Sequence, residues 1–180
     1  PNVVEGFRIL SETGLLSVIL PELEAGRGVE QRERHCFDVF VHGLMTCAAA
    51  DPTDLGMRLA ALLHDVGKPA ALTRGQAGEP LFYDHDRISA AMSEEILKRL
   101  KLPGAVIERV AHLVRHHMFN YTPDWSDAAV RRLVARVGRE HIRDLLRLRR
   151  ADQIGRCNRE EAMGSLLELD RRIEALLAAD

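Results

Sequence analysis

Aromatic residues are scarce in this chain of 180 residues, since Phe, Trp and Tyr together make up 4% of it. β-Sandwiches rely on aromatic and β-branched side chains, whereas the apolar residues here are dominated by Leu and Ala. This composition favours packed helices over an all-β fold. A chain of this length can bury one good core.

The sequence also lacks long apolar runs, a signal-peptide pattern and a strong charge of either sign. No run approaches the length of a membrane span. The formal net charge of -2 gives no argument for nucleic acid or an anionic membrane as a partner. The three cysteines, Cys36, Cys47 and Cys157, form no CxxC pair, which argues against a thiolate zinc site. We therefore predict reduced cysteines in a cytoplasmic protein with no membrane partner.

A helical period of apolar residues recurs almost throughout the chain, and no segment alternates convincingly with period two. The fold class predicted is therefore all-α. Residues 22–34 and 70–84 are predicted loops because they contain several glycines, and the second also contains Pro80. The predicted helices span residues 3–20 with a break at Gly14, 36–50, 54–66, 85–101, 104–118, 126–137, 140–155 and 159–178.

Residue types that bind metals are scattered along this helical pattern: His42, the adjacent pair His64 and Asp65, and Asp152. Imidazole and carboxylate together suit a borderline or hard divalent metal better than thiolate chemistry would. A metal held by such ligands can activate water against a phosphoryl centre. A site of this kind could therefore hydrolyse a phosphate ester.

Asp152 lies on the apolar side of its predicted helix, seven residues after Leu145 and four after Leu148. A carboxylate that faces a core is costly unless it is paired or binds a metal. Spacing alone leaves two alternatives open, a metal ligand and a buried salt bridge with a nearby arginine.

His64 and Asp65 come at the end of LAALLHDVGKP, where Gly67 and Pro69 predict that the helix stops. The helix macrodipole disfavours an aspartate at a C-terminus, so this aspartate requires a cation nearby. His42 lies in an apolar helix, where a lone histidine is more often a core residue. Its assignment as a ligand depends on the other three.

Four further side chains could complete the site. Lys68 could hold a phosphate as a point charge, or it could be a solvated lysine that stabilises the helix end. His85 at a predicted helix start, and His116 and His117 at a predicted helix end, could form a second metal site or bind a substrate phosphate. The alternative for these histidines is exposure to solvent at helix ends.

The order His42, His64–Asp65, Asp152 resembles the HD superfamily of metal-dependent phosphohydrolases, and HDVGKP looks like the signature of that family. The resemblance implies a helical bundle in which the four residues hold one divalent metal between the central helices. One departure is Gly43, which follows the first ligand. It weakens the helix locally but could allow close packing against another helix.

Some members of that family bind two metals and carry two further histidines before the last aspartate. His85 and His117 fit those places, and His116 is the competing assignment for the second. The resemblance therefore implies one divalent ion and allows two. The ligand types admit Mn, Ni, Co, Zn, Mg or Fe.

Longer stretches look like bacterial tRNA nucleotidyltransferases and their poly(A) polymerase relatives. These stretches are ILPEL, GVEQRERHCFDVFVHGL, HDVGKP, FYDHDRISA, LVRHHM and RRADQIG, and the similarity runs from about residue 5 to about residue 157. In that family an HD domain follows a nucleotide-adding head. We therefore predict that residues 1–34 are a helical lead-in from such a head and that residues 35–180 form the HD domain. The chain has no Gly-Ser motif followed by a paired-Asp motif, so the resemblance predicts that it does not add nucleotides by itself.

The resemblance implies phosphatase and 2′,3′-cyclic phosphodiesterase activity on nucleotides or RNA 3′ ends, with tRNA as a partner. Asp65 would also orient the attacking water, and Lys68 would neutralise charge that develops on the phosphate. A homodimer is a further expectation. Two alternatives stay open: a nucleotidase that acts on free nucleoside monophosphates, and a non-catalytic domain that binds tRNA or dimerises.

Residues 131–159 carry ten arginines against three acidic residues. Several of the arginines follow three- and four-residue steps and so form a stripe on one helical face. Such a stripe can follow phosphates, or it can be a solvated face balanced by acidic neighbours. Arg149 and Arg150, close to Asp152 along the chain, are the predicted contacts to phosphate or RNA.

Overall fold

The computed structural model describes residues 2–31, 36–156 and 160–179, and within them the prediction of an all-α fold is confirmed. A two-stranded antiparallel hairpin of β1 (Leu72–Arg74) and β2 (Pro80–Phe82) is the one addition in these residues. The helices in chain order are α1 (Val3–Glu12), α2 (Leu15–Ile19), α3 (Pro21–Glu24), α4 (Val39–Ala49), α5 (Leu55–Leu63), α6 (Lys68–Ala71), α7 (His85–Arg99), α8 (Gly104–His116), α9 (Asp127–Val137), α10 (Ile142–Ile154) and α11 (Glu160–Ala179).

Helix boundaries follow local signals in the sequence. Asp38 accepts a hydrogen bond from the amide of Val41 at 2.7 Å, and Asp54 accepts one from the amide of Met57 at 3.0 Å. These side chains satisfy amides that an N-terminal turn leaves without helical partners, so α4 and α5 begin directly after them. Gly14 separates α1 from α2 with a φ of 73°, a conformation that other residues rarely adopt.

The predicted loop 70–84 is wrong in part, because it contains the end of α6 and both strands of the hairpin. Each strand has three residues, which is too short for an alternating pattern to show in the sequence. Pro69 was expected to end a helix, and it also lies in the first turn of α6, where its missing amide costs no helical hydrogen bond.

One continuous apolar core holds the helices together, and it extends from Leu16 and Leu23 near the N-terminus to Leu169 and Ile173 of α11. Within it α7 packs on α8, α4 on α5, and α10 against both α4 and α5. The predicted role of Gly43 is confirmed, because a Cβ there would lie 3.0 Å from the carbonyl oxygen of Leu62. Close approach of α4 to α5 brings their polar ends together.

The expectation that the cysteines are reduced is wrong for Cys36, which is disulfide-bonded. Cys47 is a free, buried thiol. Cys157 lies outside the described residues. Spacing along the chain could not reveal a disulfide, because a bond of this kind depends on the distance between Cα atoms in the folded chain.

The described helices include none with both the length and the apolar character needed to cross a bilayer.

Candidate metal centre

Six polar side chains from five helices meet inside the bundle, and none of them is more than 6% exposed. Two come from helix interiors, and four lie at helix ends, where the chain turns and brings neighbouring residues to one place. The six are His42 in α4, His64 and Asp65 after α5, His85 at the start of α7, His117 after α8, and Asp152 in α10.

The four histidine rings are oriented by backbone carbonyl groups. Nδ1 of His64 donates to Ala61 at 2.8 Å, that of His85 to Phe82 at 2.7 Å and that of His117 to Val114 at 2.7 Å. Each of these acceptors lies three residues earlier in the chain. A proton on Nδ1 leaves Nε2 as the atom with a lone pair, and this arrangement is typical of histidines that bind a metal.

His42 has the same orientation through a longer-range contact. Its Nδ1 donates to the carbonyl oxygen of Gly155 at 3.4 Å, across 113 residues of sequence. A Cβ on Gly155 would lie 2.5 Å from Oγ1 of Thr46, so only glycine lets this carbonyl approach α4. The end of α10 therefore orients a ring in α4.

The first group of ligand atoms surrounds the Nε2 atoms of His42 and His64, which lie 3.2 Å apart. Oδ2 of Asp65 is 3.6 Å from the first and 3.2 Å from the second. Oδ1 of Asp152 is 3.1 Å and 3.8 Å from the same two atoms. Ligand atoms about 2.1 Å from one tetrahedral ion lie roughly 3.4 Å apart, so the separations among His42, His64 and Asp65 fit a single metal. Asp152 also approaches the two histidines but is not part of that three-residue group.

The second group consists of Asp65, His85 and His117. Oδ1 of Asp65 is 3.3 Å from Nε2 of His85 and 3.6 Å from Nε2 of His117. All three atoms are buried and lack a hydrogen-bond partner in the part of the chain that the structure describes. Buried polar atoms are rarely left without a hydrogen-bond partner. Three such atoms that face one another are therefore suited to be the ligands of a cation.

Asp65 is common to both groups, one oxygen facing each. Burial by itself raises the pKa of a carboxyl group, but His64 and Lys68 outweigh it and hold the pKa of Asp65 well below its usual range. Burial likewise opposes the charge on His64, yet Asp65 and Asp152 raise the pKa of its imidazole. The carboxylates therefore attract a cation to this point, either a proton or a metal.

Lys68 is buried and does not extend into solvent. Its ammonium donates to Oδ2 of Asp65 at 2.7 Å and to Oε1 of Gln31 at 2.5 Å. The alternative of a solvated lysine at the helix end is wrong, since only 7% of Lys68 is exposed.

The buried salt bridge that was one alternative for Asp152 is present in the structure, and the same carboxylate also faces the histidines. Arg149 donates to its Oδ2 at 2.8 Å, and Arg156 donates to Oδ1 at 3.0 Å and to Oδ2 at 2.7 Å. Burial opposes ionisation, but His42 and Arg156 hold the pKa of Asp152 well below its usual range. Arg156 was not predicted, although its position four residues after Asp152, just beyond the end of α10, was a usable signal.

Two of the predicted side chains lie elsewhere. His116 is half-buried and its ring packs against His112 at a centroid distance of 4.7 Å, away from the ligand atoms. Burial, together with His112 and Arg136, lowers the pKa of His116. Arg150 is exposed and lines a groove between α10 and α11. Of the two neighbouring histidines, His117 reaches the centre, and of the two neighbouring arginines, Arg149 does.

Comparison with known proteins gives one family and a consistent set of relatives. The model of the HD domain family matches residues 32–157. An A-adding tRNA nucleotidyltransferase of Deinococcus radiodurans is 42% identical over 99% of this chain and 42% of its own length. A CC-adding tRNA nucleotidyltransferase of Thermus thermophilus is 36% identical over 86% of this chain and 36% of its own length. The chain therefore spans about two fifths of the length of these curated relatives.

Proposed function

Because the chain belongs to the HD domain family, we propose that it is a metal-dependent phosphohydrolase that acts on nucleotides or on RNA 3′ ends. The observation that carries this proposal is the convergence of four Nε2 atoms and two aspartates in a buried centre, with Asp65 common to both groups. The chemistry of this donor set fits a divalent ion of the borderline or hard class, such as Mn, Ni, Co, Zn, Mg or Fe.

His42, His64, Asp65 and Asp152 would hold the principal metal, and Asp65, His85 and His117 would hold a second. A bound metal supplies Lewis-acid polarisation of the phosphoryl oxygen and makes water a better nucleophile. His116, the earlier competitor for the second group, is left out of the ligand set because its ring packs on His112.

The side chains around the metal have separate tasks in this proposal. When the second metal site holds no ion, Asp65 orients the attacking water through Oδ1. This oxygen accepts no hydrogen bond among the described residues. Lys68 holds Oδ2 of the same carboxylate in place and adds a positive charge against the phosphate. Arg149 uses one donor on Asp152 and keeps other guanidinium donors for a substrate phosphate.

RNA, and tRNA in particular, is the proposed partner. The support comes from relatives named A-adding and CC-adding tRNA nucleotidyltransferases, which this chain matches over part of their length. A nucleotidase that acts on free nucleoside monophosphates is the alternative substrate class, and a homodimer stays a prediction.

The test is hydrolysis of 2′,3′-cyclic AMP and of a panel of nucleoside monophosphates by protein stripped with EDTA, with each metal added back singly. We expect turnover with at least one metal, none in an Asp65→Ala variant, and little change in a His116→Ala variant. The preferred substrate distinguishes the RNA-end and free-nucleotide alternatives. Absence of turnover with every metal, in protein that demonstrably binds the ion, would contradict the proposal and favour a non-catalytic binding domain.

A further inference from the structure

The outward side of α10 forms a groove with α11 that three arginines line. Arg143, Arg147 and Arg150 all border a cavity of about 270 Å³. Their three- and four-residue spacing puts them on the same helical face. The cavity is large enough for phosphate groups, and we call this feature the arginine groove.

The arginine groove is separate from the metal centre. Arg149, one residue before Arg150, contacts Asp152 at 2.8 Å, so neighbouring arginines of α10 serve different sides of the helix. The body of the helix, with a diameter of about 10 Å including side chains, lies between the two places. The atoms of a ligand that bind in the groove would therefore differ from the atoms that bind at the metal centre.

The three arginines of the groove belong to a basic segment of the chain, although the whole chain carries a net charge of -2. Residues 131–150 contain eight arginines and two acidic residues, Glu140 and Asp144. Asp144 is engaged by Arg109, whose guanidinium lies 2.7 Å from its carboxylate. The carboxylate of Asp144 is thus already paired with an arginine of a different helix.

Asp170 and Glu174 of α11 also line the groove, so two carboxylates stand against its three arginines and neutralise them only in part. Glu174 is 3.4 Å from Arg143, and both side chains are more than half exposed, so the pair is weak. Arg147 is 3.7 Å from Asp144. Arg150 has no carboxylate oxygen within 4.0 Å among the residues whose side chains are described. Among those residues, no carboxylate occupies the donors of its guanidinium.

We propose that the arginine groove binds the phosphate backbone of an RNA, in addition to the end that the metal centre receives. This inference rests on the proposed function for the identity of the polyanion. Guanidinium groups donate in pairs to phosphate oxygens, and the groove lining contains no aromatic side chain for base stacking. The contact is accordingly independent of base sequence and sensitive to salt.

The experiment measures binding of a fluorescein-labelled tRNA transcript by anisotropy, in EDTA, across a series of KCl concentrations. We expect the triple variant Arg143→Gln, Arg147→Gln, Arg150→Gln to bind at least about 10-fold more weakly at low salt, because three phosphate contacts are lost. The slope of log affinity against log salt should fall by about 2. The triple lysine variant, which keeps the charges, should remain close to the parent protein.

Two controls isolate the groove. The variant Arg74→Gln, Lys98→Gln, Lys101→Gln removes the same charge from exposed positions outside the groove lining, and we expect a much smaller loss of binding. The single change Arg150→Gln breaks no ion pair among the described side chains and should still lower the slope by about 1. It tests the inference even if the triple variant is unstable.

Equal losses in the groove variant and in the control variant, or an unchanged slope in a folded Arg150→Gln protein, would overturn the inference. EDTA removes the metal from this assay, so a protein without hydrolytic activity can still pass it. An Asp65→Ala variant that loses hydrolysis but still binds RNA would show that the metal centre and the arginine groove act independently.

Discussion

Two clusters in this molecule each bring together two aspartates, and they differ in the source of the positive charge. In the first, Arg109 of α8 donates to both oxygens of Asp54 at 2.8 and 2.7 Å and to Asp144 at 2.9 Å. Every guanidinium nitrogen has a carboxylate partner. The cluster is complete with protein atoms alone, and its role is to join α5, α8 and α10.

The metal centre has the opposite character, because its inward-facing atoms are mostly acceptors. Nε2 of His42 and Nε2 of His64 are 3.2 Å apart, and carboxylate oxygens lie on both sides of them. Lys68 and the two arginines bind the aspartates from outside and leave these inner atoms facing one another. The comparison teaches that a cluster whose acceptors are all paired with its own cation is complete, whereas facing acceptors fit an added cation, either a proton or a metal.

Removal of Asp65 has the largest expected effect, a loss of metal affinity, because both groups of ligands share this residue. An Asp65→Ala variant should lose at least about 100-fold in metal affinity, since even the groups behind metal ligands are worth 10- to 100-fold. Metal content after dialysis, measured by mass spectrometry, gives the result. The Asp54→Asn variant is the matched control, and it should retain the parent stoichiometry.

A comparison of His117 and His116 tests whether the second group of ligands is real. His117→Ala removes a buried Nε2 that faces Asp65 and should lower the affinity for a second ion by about 10-fold or more. His116→Ala, one residue earlier, should leave metal binding unchanged. Isothermal titration with Mn²⁺ measures both. Equal effects of the two changes would refute the assignment of His117.

The Arg109 cluster predicts how stability depends on pH. The hydrogen bonds from Arg109 lower the pKa of Asp54 to about 2 from 3.8. A lowered folded-state pKa gives stability that is present above the unfolded pKa and is lost as pH falls towards 2. The contribution at neutral pH is on the order of 2 kcal/mol.

The test is urea unfolding of Asp54→Asn, since asparagine keeps the helix cap and removes the charge. The parent protein should be more stable than the variant at pH 7, and the difference should shrink below pH 4. A difference that stays constant down to pH 2 would show that the ion pair is not its source.

The smallest effect is expected at an exposed ion pair, which also joins an arginine to a carboxylate. Glu5 and Arg8 of α1 lie 2.6 Å apart, but about half of each side chain is exposed. Water and salt screen such a pair. Glu5→Gln should leave the unfolding midpoint unchanged within error. A clear loss of stability would mean that distance, and not burial, decides which clusters matter.

Much of the fold was predictable from local signals. The apolar period predicted the long helices, and Gly14 predicted the break between α1 and α2. The hairpin β1–β2 and the short helices α3 and α6 were missed, because segments of three or four residues carry no measurable period. The disulfide at Cys36 was missed because such a bond depends on the distance between Cα atoms in the folded chain.

Within the site, the ligand types and their order could be inferred, whereas the arginines behind Asp152 were assigned only in part. Arg149 was predicted to approach and does contact Asp152. Arg150 was predicted alongside it and lies in the arginine groove. The expected metal and its ligands stay predictions, and the experiments above are their test.

The sequence by itself determined a helical chain with histidines and aspartates in the order of the HD domain family. It did so because helical period and residue chemistry are local properties. Only the tertiary structure decided between His116 and His117 and between Arg149 and Arg150. Neighbouring residues on a helix point about 100° apart, and the packing of α7, α8 and α10 alone determines which of two neighbours faces the centre.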